Sequence, residues 1–316
     1  MISGWVRGLS DRDIEATLAE VLGPEAALSK STVSRICAAI AEEFAAWRTR
    51  DLSGVRLDYL FLDASHLQAA PRRTGRAGPG RLGHRCRRQA GVRGPGARGI
   101  RVDRRLDDFL ADLKERGLGA PLLGISDGLV AGLIGAFDRA FPASLRQRCL
   151  VHRARNTLAK VSAHDQPQVK ADFWAIFDVG DAEPGDEAVA VARRQAAEFA
   201  TKWNSRYPSA VACVTDDLAS LTVHLRFPAE HWHRIRHSNL IERTFGETRR
   251  RTKVIGRLPG ERSCLSLVWA VLDRASRGWR GLTMTPKALR LLQDLRSQLL
   301  HLPAEEVIDE AVTAAA

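Results

Sequence analysis

In the first fifty residues, apolar positions fall at helical spacing in two runs. Ile14, Leu18, Val21 and Leu22 make one stripe, opened by Ser10 as a cap with Asp11, Asp13 and Glu15 in the first turn. Gly23-Pro24 breaks it. Val33, Ile36, Cys37, Ile40, Phe44 and Trp47 make the second stripe, with Ser29 or Ser31 as its cap. Two short helices and a turn fit either a helix-turn-helix or an ordinary helical hairpin. In the first reading Lys30, Ser31, Thr32, Ser34 and Arg35 open the second helix and contact DNA.

The period then changes. Val55 to Asp63 passes from alternation into a solid apolar run that ends on an acid, as suits a central strand. Leu122-Leu-Gly-Ile-Ser-Asp127-Gly128 repeats the design. A helix is predicted after it, with Leu129, Leu133, Ile134 and Phe137 on one face and Phe141-Pro142 as its stop. A third short strand is predicted over Leu145 to Leu150. An acid before glycine is a common turn residue. Two acids at the C-terminal ends of two strands also stand where ligands gather in open α/β sheets.

From Arg153 to about His233 the pattern is helical, punctuated by Pro167, Pro184 and Pro208, with Trp174 and Trp203 as core anchors. A further helix begins at Ser238 and carries Asn239, Glu242, Gly246 and Arg249 on one face. Six basic side chains against one acid between Arg243 and Arg257 give that helix a phosphate-contacting character. From Pro286 on, an amphipathic helix leads into an alanine-ending tail expected to fray.

Charge alters this picture in one place. The net charge is +11, yet twelve arginines and a single acid between Ala64 and Arg105 account for all of it. The remaining residues hold 36 basic and 36 acidic side chains. The five cysteines (Cys37, Cys86, Cys149, Cys213 and Cys264) include no CxxC pair, which argues against a disulfide framework and excludes a four-cysteine zinc site. No run approaches the roughly 18 to 20 apolar residues of a membrane span. The N-terminus lacks a signal-peptide pattern, so a cytoplasmic, nucleoid-associated protein with no membrane partner is expected.

Taken in order, the motifs resemble the Mutator-type family of bacterial insertion-sequence transposases. The matching residues are Leu62-Asp63-Ala64, Ile125-Ser126-Asp127-Gly128, Phe141-Pro142, Gln147 to Asn156, Trp232 to Arg236, Asn239-Leu240-Ile241-Glu242, Arg249 to Lys253 and Trp279. Gly8 to Ile14 and Ser29 to Arg35 match the family's helix-turn-helix region. The resemblance spares only about Leu67 to Leu106. It implies an α/β fold: a ribonuclease-H-like core with an all-helical insertion and an N-terminal helix-turn-helix. The boundaries expected from it are 1–50 for the helix-turn-helix, 51–152 for the first part of the core and 153–235 for the insertion. The last part of the core follows over 236–282, then a C-terminal helix and tail over 283–316. Family members carry more residues before the helix-turn-helix, so the start is expected to be truncated.

The resemblance further implies a transposase acting on the terminal repeats of an element and on target DNA, as a homo-oligomer. Its catalytic, metal-binding triad would be Asp63, Asp127 and Glu242. Two Mg²⁺ ions, with Mn²⁺ as a substitute, suit carboxylate oxygens and serve the attacking and leaving oxygens of a phosphodiester from about 3.5–4 Å apart. Asn239 is expected to support Glu242 from one turn away. Cys149 and His152 match a family hallmark, and two ligands alone do not complete a tetrahedral zinc site. Arg249, Arg250, Arg251 and Lys253 are expected on DNA phosphates.

One segment departs from this scheme. From about 67 to 105 the chain is Arg, Gly, Pro and Ala, with no aromatic residue and few aliphatics, where a ribonuclease-H-like sheet needs two more strands. Gly and Pro weaken strands. Two readings stand: a disordered, arginine-rich DNA-binding loop, or translation from a shifted frame. The match on both flanks favours the second. It carries an alternative function, a catalytically inactive remnant that only binds DNA.

Overall fold

The computed structural model describes residues 30–62, 98–127, 131–253, 261–279 and 281–300. Two units divide the chain. One gathers the described residues of 1–50, 65–104 and 244–279; the other gathers those of 51–64, 105–243 and 280–316.

The first unit is helical. Helix α1 (Lys30–Arg48) presents Ile40 to the interior, where it meets Leu267, Val268, Ala270 and Val271 of a late helix, Glu261–Ser276. Phe44, Trp47 and Trp269 extend this contact as an aromatic trio with centroids 5.9–6.3 Å apart. The Arg50 guanidinium lies over the Trp47 ring at 4.2 Å. The sequence pattern predicts α1 but not the Glu261–Ser276 helix. The helix predicted around Ile14 lies outside the described residues.

The second unit is built on a three-stranded parallel sheet in the order β1-β2-β3: β1 (Tyr59–Leu62), β2 (Leu123–Ser126) and β3 (Leu145–Arg148). Parallel neighbours need crossover connections. Helix α2 (Arg98–Glu115) stands in the first crossover and α3 (Ala131–Ala140) in the second. Both faces of the sheet are covered, and the pleat sorts the side chains by parity. Leu60 and Leu62 join Leu110, Leu133, Phe137 and Phe141 on one face. Tyr59, Phe61, Leu123, Ile125 and Leu145 join Phe227, Ile235 and Leu292 on the other. Gly124 belongs to the Phe137 side, and a Cβ there would run into the Phe137 ring. Every residue of β2 is buried, as its unbroken apolar run predicts.

The helical region is a second core in the same unit. Helices α4 (Leu150–Leu158), α5 (Gln166–Ala175), α6 (Asp186–Trp203) and α7 (Pro208–Thr215) enclose Leu150, Phe173, Phe199, Val211 and Val214. Trp203 is buried here, and Trp174 packs against the cluster half-buried. A short helix, α8 (Leu218–Leu221), and a 3-10 turn (Val223–Arg226) return the chain to the sheet, followed by α9 (Ala229–Ile235). Buried Gln147 of β3 fixes that return: its side chain accepts from the His224 backbone N–H at 2.7 Å and donates to the Leu221 carbonyl at 3.0 Å. Asp217 joins β3 to α4 by accepting from Arg148 and from Arg153.

Three further helices are α10 (Asn239–Lys253), α11 (Glu261–Ser276, introduced above) and α12 (Pro286–Leu300). Buried Arg296 of α12 donates from one nitrogen to the Leu57 carbonyl at 2.9 Å and to Asp58 at 2.7 Å.

Three boundaries need correction. The third strand stops at Arg148 rather than Leu150, because Cys149 caps α4, and helix therefore begins at Leu150 instead of Arg153. The arginine-rich stretch expected to run to about 105 gives way to helix earlier, because α2 starts inside it at Arg98. Arginine is a good helix former, and composition alone hides this. The rest of that stretch lies outside the described residues, as do Leu129 and the alanine-ending tail.

Candidate active site

The candidate triad is distributed over β1, β2 and α10. Asp127 directly follows β2 and is half-buried. Asp63 follows Leu62, the last residue of β1, and lies outside the described residues. Leu62 pairs in register with Ser126. Glu242 sits in the first turn of α10, where a carboxylate also suits the positive end of the helix dipole.

What joins the β2 end to α10 is Cys149. Its backbone N–H donates to the Ser126 carbonyl at 2.8 Å, one residue before Asp127. Its sulfur accepts the Ser238 backbone N–H at 3.3 Å. Ser238, directly before α10, turns its hydroxyl to Glu242 and donates to Oε1 at 2.8 Å. The next residue along, Leu150, donates its N–H to the Arg236 carbonyl at 2.9 Å, so two successive amides tie the start of α4 to the end of β2 and to the segment before α10. Cys149 and Ser238 are both buried, so water does not compete for these bonds.

Glu242 has two more neighbours. His152 Nδ1 lies 3.5 Å from Oε1 and Arg155 Nη1 lies 3.8 Å from Oε2. Cys149, His152 and Arg155 all belong to the start of α4 and its first turns, so one short helix frames the carboxylate. His152 Nδ1 is buried and makes no hydrogen bond. The Glu242 side chain keeps 24% of its surface exposed, so a ligand can reach it.

Asn239, the first residue of α10, is half-buried beside Ser238. Arg250 of α10 is exposed, as is Arg35 of α1. The side chains of Lys30, Ser31, Thr32, Ser34, Arg249, Arg251 and Lys253 are outside what the structure describes. Sequence reasoning missed Ser238 and Arg155. A serine before a helix signals a cap, but its bond to a carboxylate four residues on needs the fold.

A family model described as "Transposase, Mutator family" matches residues 1–281. The chain belongs to the Mutator family of transposases. Its similarity to the transposase for insertion sequence element IS6120 of Mycolicibacterium smegmatis is 36% identity over 286 residues, covering 87% of this chain and 83% of that protein. The transposase for IST2 of Acidithiobacillus ferrooxidans is 35% identical over 190 residues, 60% of this chain and 62% of its own. The transposase for IS1081 of Mycobacterium tuberculosis is 33% identical over 294 residues, 87% of this chain and 64% of its own. The chain thus spans less than two thirds of the latter two relatives. Among the described residues of this Mutator-family chain, no helix is long and apolar enough to cross a membrane.

Proposed function

We propose that this Mutator-family chain acts in transposition as a polynucleotidyl transferase, cutting DNA at the ends of an insertion element and joining them to target DNA. The observation that carries this reading is the hydrogen-bond path Ser126–Cys149–Ser238–Glu242, which ties the strand end before Asp127 to the helix bearing Glu242. The register of Leu62 with Ser126 supports Asp63 as the third acid, because these two residues immediately precede Asp63 and Asp127 in the chain. The parallel β1-β2-β3 sheet is the described part of a ribonuclease-H-like core under this reading, with the helices after β3 as its insertion.

The donor set fits a hard divalent ion: Asp127 and Glu242 offer carboxylate oxygens, and both keep some exposure. Asp63, Asp127 and Glu242 would hold Mg²⁺, two ions by family resemblance, with Mn²⁺ as a substitute. Ions so held supply charge stabilisation at the phosphodiester. The chain's own residues do the positioning. Ser238 keeps Glu242 in one rotamer, Arg155 draws its second oxygen, and Asn239 flanks it at the head of α10. Arg249, Arg250, Arg251 and Lys253 face DNA phosphates in this reading, and α1 acts as the second helix of a DNA-reading helix-turn-helix with Lys30, Ser31, Thr32, Ser34 and Arg35. A homo-oligomer assembled on the element ends completes the scheme.

The test is cleavage of DNA carrying the element's own ends, in Mg²⁺, by the full chain. Nicking is expected, with Glu242→Gln and Asp127→Asn each reducing it by about a hundredfold or more. Undiminished nicking by Glu242→Gln sinks the assignment. Gel-shift binding without any cleavage assigns the chain instead to a DNA-binding remnant.

A further inference from the structure

Three potential ligand atoms of graded hardness converge beside the catalytic candidate. Cys149 Sγ, a ring nitrogen of His152 and a carboxylate oxygen of Glu242 all lie within 4.8 Å of one another. Tetrahedral zinc bonds of about 2.0–2.3 Å set ligand atoms roughly 3.3–3.6 Å apart. The 3.5 Å from His152 Nδ1 to Glu242 Oε1 already matches such an edge.

The cluster is also built, in three respects. Its backbone is fixed: Cys149 caps α4, His152 follows within the first turn, and α10 is held to Cys149 through Ser238. Its supporting contacts suit coordinated ligands, since the Ser238 N–H donates to the sulfur and Arg155 stands 3.8 Å from the carboxylate's other oxygen. Finally, His152 Nδ1 is buried without a hydrogen bond. A buried polar atom without a hydrogen bond calls for a ligand, and a metal ion shared with Glu242 Oε1, 3.5 Å away, would supply one.

We propose that Cys149, His152 and Glu242 form a zinc-class metal site that shares Glu242 with the magnesium-binding carboxylates. A thiolate and an imidazole select a soft or borderline ion, whereas Mg²⁺ takes oxygen. Three protein ligands would leave a fourth position for water, and Glu242 keeps 24% of its side-chain surface exposed. Binding displaces the thiol proton of Cys149 to solvent. An ion there occupies the carboxylate, so zinc and magnesium compete for Glu242; that consequence, unlike the binding itself, rests on the catalytic reading above.

Cobalt(II) titration of the purified full chain, without DNA, tests the site. A single Co²⁺ should bind with tetrahedral d–d bands and a thiolate-to-cobalt charge-transfer band, be displaced by Zn²⁺, and resist Mg²⁺. Cys149→Ser should abolish the charge-transfer band. Because Cys149 is wholly buried and its replacement can unfold the chain, His152→Ala and Glu242→Gln provide the second arm. Each should weaken binding by at least about a hundredfold, with the circular dichroism of the wild type. An octahedral, thiolate-free cobalt spectrum, or wild-type affinity in folded His152→Ala and Glu242→Gln, overturns the proposal. Tetrahedral binding together with normal cleavage by Glu242→Gln upholds the site and removes Glu242 from catalysis. Absent binding with a cleavage-dead Glu242→Gln overturns the site and leaves the catalytic reading standing.

Discussion

The Ser238 hydroxyl donates to Glu242 Oε1 at 2.8 Å while the backbone N–H of the same serine rests on the sulfur of Cys149. Under the proposed chemistry, Ser238→Ala frees the carboxylate to rotate without removing it. A hydrogen bond to a charged group contributes roughly 1.5–3 kcal/mol, so cleavage should fall about tenfold to a hundredfold. DNA affinity should be unchanged, and Ser238→Thr should retain most activity. Equal losses in cleavage by the Ala and Thr variants would remove the positioning role.

Arg296 spans a long stretch of chain to reach Leu57 and Asp58, and its side chain is only 6% exposed. Removing it leaves Asp58 and a carbonyl without their donor in a partly buried place. Arg296→Ala should lower stability by about 2–3 kcal/mol, read as a shift in the urea midpoint. Arg296→Lys should recover little, because an ammonium on a different stem does not reproduce the guanidinium geometry.

Gly124 lies under the Phe137 ring in the middle of β2. Gly124→Ala should cost about 1–3 kcal/mol by overpacking. Adding Phe137→Leu should restore part of that loss, so the two changes should be non-additive in a denaturation cycle.

His224 is buried, and burial foremost, with the nearby Arg236 charge, pushes its pKa from 6.5 down to about 3. Its Nδ1 lies 3.2 Å from Gln147 Oε1 and 3.1 Å from the Leu221 carbonyl, both acceptors, so Nδ1 carries the proton and the ring is neutral when folded. The unfolded chain binds a second ring proton below about pH 6.5 and the folded chain does not until about pH 3. Stability is therefore full above that window and falls as pH drops through it, by up to about 1.4 kcal/mol per unit. Urea midpoints measured near pH 7 and near pH 5 should differ in this sense, and His224→Asn should flatten the difference. An unchanged slope in that variant would place the acid sensitivity elsewhere.

Arg250 is an exposed residue of α10. If it meets a phosphate, Arg250→Ala should weaken binding to all DNA sequences alike and reduce the salt slope by about one unit. A loss confined to one sequence would mean that it reads a base instead.

Much of this arrangement is legible in the sequence, and the remainder is hidden for identifiable reasons. The apolar run Leu122–Ser126 announces a buried strand, and the acid after it stands where the fold carries Asp127. The strand at Leu145 is also legible, yet its end is not: Cys149-Leu150-Val151 looks like more strand, and only the cap of α4 decides otherwise. The spacing of Cys149 and His152 is visible as a motif, while its meaning depends on Glu242 arriving from far along the chain. Glu242 is a candidate by resemblance; its partner Ser238 is not, because a cap residue's tertiary bond has no sequence signature.

The Arg296 clamp has a temporal side. Asp58 and Arg296 lie 238 positions apart, so the segment leading into β1 emerges from the ribosome long before the helix that secures it. The part of the sheet face that Leu292 covers must wait, wet and exposed, until α12 has been made. Nascent copies are thus open to aggregation or to chaperone capture at that face until α12 emerges.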